Sequence, residues 1–251
     1  MDLNLTDRTF LVTAASRGLG FSVAKSLADE GAEVLICGRN EDSLKKATDI
    51  LGERAQYFIA DVSKQEDIKR LVKDIGSQML HIDGLFVNAG GPSPGTFSDL
   101  SDDDWRKAID LTLMSAVWLT RETRHLLKMS DSPSILYSTS ISVKQPISNL
   151  LLSNAIRPAV IGMMRTLATE LTSDYIRVNA VCPGYIHTER IEELMSASES
   201  AIESINARIP LGRMGKPEEF GPVCAFLLSP VSSYIHGTLL LVDGGLYQGM
   251  M

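Results

Sequence analysis

The sequence predicts one doubly wound α/β domain built on a parallel sheet of seven strands. Short apolar, β-branched runs alternate with longer amphipathic stretches from end to end, and that alternation means crossover connections and parallel strands. Apolar runs such as "FLVTA" and "LFVNA" fit strands covered on both faces. The 251 residues contain no linker, low-complexity tract or repeat, so a single domain over 1–251 is expected.

The elements follow in order. Residues 8–14, "RTFLVTA", read as the first strand, and the amphipathic stretch 19–30, stopped by Gly31, as the first helix. A second strand (32–38) leads into a polar-capped helix (40–51), and a third strand (56–61) into a helix over 63–79. There Ser63 and Glu66 stand at capping-box spacing. The fourth strand is 82–90. Ser101 then opens one long helix to residue 129, and the fifth strand is 133–140. A helix over 149–173, a sixth strand (174–182), an irregular Ser/Glu-rich helical segment (188–208), a helix from Pro217 to Leu228 and a last strand (238–244) complete the chain.

Composition excludes several functions. Lys and Arg number 24 against 31 Asp and Glu, for a net charge of −7. An acidic chain without a basic run is a poor partner for nucleic acid or an anionic membrane. Cys37, Cys182 and Cys224 are widely spaced in apolar surroundings, which argues against a metal site or a disulfide framework and for reduced thiols in the cytoplasm. "TFLVTAA" is too short for a signal-peptide core or a membrane span.

"TAASRGLG" (13–20) lies between the first strand and its helix, where Gly18 and Gly20 let the backbone approach a phosphate at the helix N-terminus. After the second strand, dinucleotide-binding folds carry an acid for a ribose hydroxyl or a base for a 2′-phosphate. Here "CGRN" offers Arg39 and no acid, and Arg17 lies in the glycine turn. Two arginines suit a phosphate, so NADP(H) is expected in preference to NAD(H). Asp61 ends the third strand and Asn88 the fourth, the right edge of the sheet for an adenine and a ribose.

These motifs resemble the short-chain dehydrogenase/reductase family, especially its 3-oxoacyl-ACP-reductase-like members, over nearly the whole chain. "TAASRGLG", with Thr13, Ser16, Arg17, Gly18, Leu19 and Gly20, is similar to the family's TGxxxGxG turn, with Ala14 replacing the first glycine. An alanine there costs about 1 kcal/mol if its φ is positive. Asp61–Val62 and "NAGG" (Asn88, Ala89, Gly90 and Gly91) match the adenine-side motifs. "RVNAVCPGYIHT" matches the sixth-strand signature, with Pro183, Gly184, Ile186 and Thr188 in its PGxxxT. "RMGKPEEF" and "GTLLLVDGG" match the C-terminal motifs. The resemblance implies a Rossmann-like fold, NAD(P) binding, a small-molecule ketone or alcohol substrate beneath a covering segment at 188–216, and a homotetramer or homodimer.

At the catalytic positions the likeness fails. The family uses Ser, Tyr and Lys, helped by an Asn. Ser140 matches the serine, but the tyrosine position is Ser153, the lysine position Arg157 and the asparagine position Thr112. The residues four after the six tyrosines are Asp61, Ile141, Asn179, Glu189, Thr238 and Met251, so no Tyr-xxx-Lys exists anywhere in the chain. A serine hydroxyl is a far poorer acid than a phenol, and Arg157 stays protonated, so neither carries the usual proton. Arg157 can still supply positive charge and a planar fork for two oxygens. Tyr185, His187 and Lys144 are the groups that could serve instead. Tyr137 is set aside, because its odd spacing from Ser140 puts it on the opposite face of the strand. The expected function is an NAD(P)(H)-dependent oxidoreductase with an atypical site. The alternative is a catalytically silent dinucleotide-binding sensor or partner subunit.

Overall fold

A computed structural model describes residues 1–189, 191 and 199–250. The strands are β1 (Thr9–Val12), β2 (Glu33–Gly38), β3 (Ala55–Ile59), β4 (Gly84–Val87), β5 (Ser134–Ser138), β6 (Arg177–Pro183) and β7 (Leu239–Val242). They form one parallel sheet in the order β3-β2-β1-β4-β5-β6-β7. The predicted Rossmann-like sheet of seven strands is therefore present.

Period-two alternation divides the strand side chains between two cores. Leu11, Leu35, Leu85, Ile135 and Val178 join α3 (Gln65–Gln78), α5 (Ser115–Leu127) and α6 (Leu151–Glu170) on one face. Phe10, Val12, Ile36, Phe86 and Leu136 join α1 (Gly18–Asp29), α2 (Glu41–Leu51) and a helix at Pro217–Leu228 on the other. That helix is called α8 below, after α4 (Asp102–Ile109) and α7 (Glu199–Arg208). Gly84 is fixed by packing, since a Cβ there would stand 2.5 Å from the Phe10 ring.

Local chemistry sets the helix boundaries. Asn40 caps α2 by accepting from Ser43 N at 2.8 Å, and Ser101 and Asp104 form a capping box on α4. The box expected at Ser63 and Glu66 does not form. Ser63 N and Oγ both donate to Asp61 Oδ1 (3.0 and 2.7 Å), and Lys64 stands at the cap of α3 with no side-chain bond. The nearer acceptor, two residues back, takes the serine. The long helix expected over 101–129 is interrupted by a π-helical turn, Asp110–Met114, between α4 and α5. The helix expected to 173 ends at Glu170 and passes into a tight 3₁₀ turn, Leu171–Asp174. The segment expected over 188–216 as a substrate cover lies partly outside the described residues; α7 and residues 209–216 fall within them.

Candidate functional site: a cleft at the carboxyl ends of β1–β5

Successive strands run outward in opposite directions from β1 and β4, and a crevice opens where they part. A cleft of about 430 Å³ occupies it. Its floor is held by a clamp between two strand ends. Thr13 Oγ1 donates to Asn88 O (2.7 Å) and accepts from Asn88 N (2.8 Å), while Asn88 Nδ2 lies 3.3 Å from the carbonyls of Thr13 and of Ala14. Thr13 is fully buried and does not line the cleft; Asn88 does.

The glycine turn forms one wall through Ser16, Arg17, Gly18, Leu19 and Gly20. Ala14 takes φ +49°, the left-handed conformation that makes alanine the costlier residue here. Gly18 has φ +62°, the left-handed conformation that favours glycine. Gly20 is closed in, because a Cβ would lie 2.5 Å from Ala14 O; it lets α1 pack onto the turn. The N-cap of α1, Arg17, makes no side-chain cap bond, and the first turn carries no acid. That end of the helix presents its amide groups and dipole with no acid in its own first turn.

Arg39, Asp61 and Val62 line the opposite wall, and Ala89 and Gly90 the back. Arg39 is exposed. Asp61 N donates to Asp67 Oδ2 at 2.9 Å, and this bond leads in holding the Asp67 carboxyl below its usual range. Thr188 closes the cleft from above, its methyl 3.9 Å from where a Gly18 Cβ would stand. Pro183, Gly184 and Ile186 lie off the wall. They hold the loop that carries Thr188, through Gly184 N to Val242 O (3.0 Å) and the Ile186–Gly215 bridge.

At the far end, Arg157 reaches the cleft from α6. Its Nη1 donates to Thr139 O at 2.9 Å, with Ser138 O at 3.5 Å. Behind it lies a cavity of about 20 Å³, shared by Arg157, Thr112, Tyr137, Ser138 and Thr139. Thr112 sits in the π-helical turn, and its buried hydroxyl has no hydrogen-bond partner among the described residues. Ser140 Oγ accepts from Ser142 N at 3.1 Å, and Ser153 is buried on α6; neither lines the cleft or the cavity. The structure thus gathers Thr112 and Arg157 at one place and leaves the two serines beside it. The carbonyls of Ser138 and Thr139, which hold Arg157, and Glu189 on the cleft wall were missed by sequence reasoning. A backbone acceptor has no residue signature, and Glu189 meets its partner 172 positions away.

No tyrosine lines the cleft among the described residues. Tyr137 is fully buried, its hydroxyl 2.6 Å from Thr120 Oγ1, and burial pushes its pKa far up. Tyr185 packs with Ile209 and Met214. His187 N donates to Gly215 O at 2.8 Å. Lys144 Nζ stands over the Tyr247 ring, 5.6 Å from its centre. Among the described residues there is no group of His, Cys, Asp and Glu that could hold a metal ion, and no helix long and apolar enough to cross a membrane.

Comparison with known proteins fits this geometry. A family model described as enoyl-(acyl carrier protein) reductase matches residues 13–247. A 3-oxoacyl-(acyl-carrier-protein) reductase of Thermotoga maritima is 34% identical over 250 residues, covering 97% of this chain and 99% of that protein. The crystal structure of L-sorbose reductase from Gluconobacter frateurii, complexed with NADPH and L-sorbose, superposes with a TM-score of 0.94 at 29% identity over 100% of both chains. An NADPH-bound short chain oxidoreductase of Pseudomonas aeruginosa PAO1, described as containing an atypical catalytic center, superposes with a TM-score of 0.91 at 26% identity, covering 97% of this chain and 99% of that one. With its sheet order, glycine turn and matched relatives agreeing over nearly the whole length, the chain belongs to the short-chain dehydrogenase/reductase family and is 3-oxoacyl-ACP-reductase-like.

Proposed function

We propose that the protein is an NADP(H)-dependent oxidoreductase for a small ketone or its alcohol, working with an atypical catalytic site. The observation that carries this reading is the continuous cleft from the acid-free N-terminus of α1 to the Arg157 guanidinium, with Arg17 and Arg39 on its walls. Its residues fit a dinucleotide: helix amides and two guanidiniums for phosphates, Asp61 and Asn88–Gly90 toward the adenine and ribose, and Arg157 toward the nicotinamide. The bound cofactor supplies or accepts the hydride. Arg157 contributes a fixed positive charge that favours a developing alkoxide and orients ribose or substrate oxygens; it releases no proton. Ser140, next to the Thr139 carbonyl that holds Arg157 and off the cleft wall, is the hydroxyl assigned to the carbonyl oxygen of a ketone, with Ser153 and Thr112 as the neighbouring hydroxyls. The proton comes from a poorer acid than a phenol, so turnover of standard ketones is slow, by about 10²–10⁴ in rate.

Related readings complete the proposal. Residues 1–251 form one domain, with 188–216 covering the substrate. The protein assembles as a homotetramer or homodimer through the π-helical turn, α5 and α6, where Leu113, Trp118, Ile161, Met163 and Leu167 are only partly buried. It works in the cytoplasm, where its three buried thiols stay reduced.

The test is a pair of titrations and an assay. NADPH is expected to bind more tightly than NADH, and a family ketone to be reduced slowly; equal affinities would sink the cofactor preference. The absence of a phenol at the cleft among the described residues favours a second reading, a catalytically silent NADP(H)-binding sensor or partner subunit. Tight NADPH binding with no turnover of any ketone would select it.

A further inference from the structure

Arg17 Nη1 is paired with Glu189 Oε2 at 2.5 Å, across the mouth of the cleft that both residues line. The two side chains come from opposite lips. Arg17 caps α1 in the glycine turn. Glu189 follows the anchored loop, in which the Ile186–Gly215 bridge and the bond from His187 N to Gly215 O fix the chain before it passes over Gly18. The pair is a strap across the phosphate end, and its negative member lies where the cofactor's own negative charge must come.

We propose that Glu189 is an internal counter-anion that occupies Arg17 while the cleft is empty, and that the need to exchange this carboxylate for a phosphate lowers the preference for NADP(H) over NAD(H). This rests on the reading of the cleft as an NADP(H) site. A 2′-phosphate carries about −1.5 to −2 charges and three strong acceptor oxygens, against the single charge of a carboxylate. It therefore displaces Glu189 from the guanidinium and keeps Arg17 in a stronger pair. A dinucleotide without the 2′-phosphate has nothing to exchange and leaves the strap closed. Glu189 thus lowers the absolute affinity for NADPH and reports its arrival, since the strap opens only for the phosphorylated form. Both groups are more than half exposed, so the pair is modest in strength and reversible.

The experiment titrates NADPH and NADH into the full-length protein, Glu189→Gln, Arg17→Ala and the double variant, following cofactor fluorescence. Glu189→Gln is expected to tighten NADPH about three- to fivefold, the scale of an exposed ion pair, and to change NADH by less than about 1.5-fold. The gain is expected to vanish in the Arg17→Ala background. An unchanged or weakened NADPH affinity in Glu189→Gln overturns the proposal, as does equal tightening of both dinucleotides or a gain that survives Arg17→Ala. Failure of the unaltered protein to bind either dinucleotide overturns the cofactor reading itself, and the counter-anion with it. The two failures are told apart by the first titration.

Discussion

Arg177 and Arg157 both donate to backbone carbonyls, with opposite consequences. Arg177, at the start of β6, is only 8% exposed, and its guanidinium closes the C-terminal end of α8. Nη1 donates to Leu227 O (3.0 Å), Ser232 O (3.2 Å) and Ser232 Oγ (3.0 Å), and Nη2 to Leu228 O (3.2 Å) and Ser229 O (2.9 Å). The negative end of the helix dipole supplies the charge complement, while burial lowers the pKa to about 10. Arg157 donates to Thr139 O at the end of β5 and keeps a face in the cleft. One guanidinium is consumed in joining a helix end to a strand; the other is braced by a strand end and lines the cleft. In sequence the two are alike, lone arginines in apolar runs, "YIRVNAV" and "NAIRPAV".

The strongest way to break that contrast is Arg177→Met. It removes the guanidinium's bonds to six carbonyl and hydroxyl acceptors at the end of α8, and the expected loss is on the order of 3 kcal/mol or more. A shift in the urea midpoint worth less than about 1 kcal/mol would mean that Arg177 is no more structural than Arg157.

The next effect is at Arg157. Ser153→Tyr with Arg157→Lys is expected to raise ketone reduction at least about tenfold, and either change alone less than about threefold, because phenol and ammonium act as a unit. Ser153 is buried, so a melting curve must accompany the assay. A well-folded double variant with unchanged turnover would show that Arg157 is not standing in a lysine's place.

The smallest effect concerns a third arginine, held by a carboxylate. Arg213 grips both oxygens of Glu219 (2.7 and 2.6 Å), and with the amide of Lys216 it draws that carboxyl down to about 2. The folded value lies below the ordinary 4.5, so this contribution is present above pH 4.5 and fades as pH falls toward 2. Glu219→Gln is expected to remove that part of the acid sensitivity, read as a flatter acid-unfolding curve. An unaltered curve would show the pair to be fully screened by water.

The sheet was legible because each strand is a mainly apolar run and the segments between strands have helical spacing. The glycine turn was legible because only small residues fit its left-handed and close-packed positions; Ala14 at φ +49° shows the one exception at work. The loss of the Tyr-xxx-Lys pair needed nothing beyond reading the chain. Other features depend on what lies nearby in space. Ser63 has the right spacing for Glu66, yet it bonds to Asp61. Glu189 acquires meaning only when Arg17 is brought against it. Arg177 looks like a misplaced surface charge until the end of α8 arrives over it.

The π-helical turn at Asp110–Met114 is a phase slip in a screw. A helix advances about 100° per residue, so the extra residue in the wide turn rotates everything after it by about that angle. That rotation sets Ala116, Leu119, Thr123 and Leu126 against the sheet along α5 while Ala108 is buried along α4. Position 112 can therefore exchange asparagine for threonine and keep the architecture, whereas removing a single residue from 110–114 would unwind the slip and turn the buried face of α5 toward water. Along this stretch the length of the chain is constrained more tightly than its chemistry.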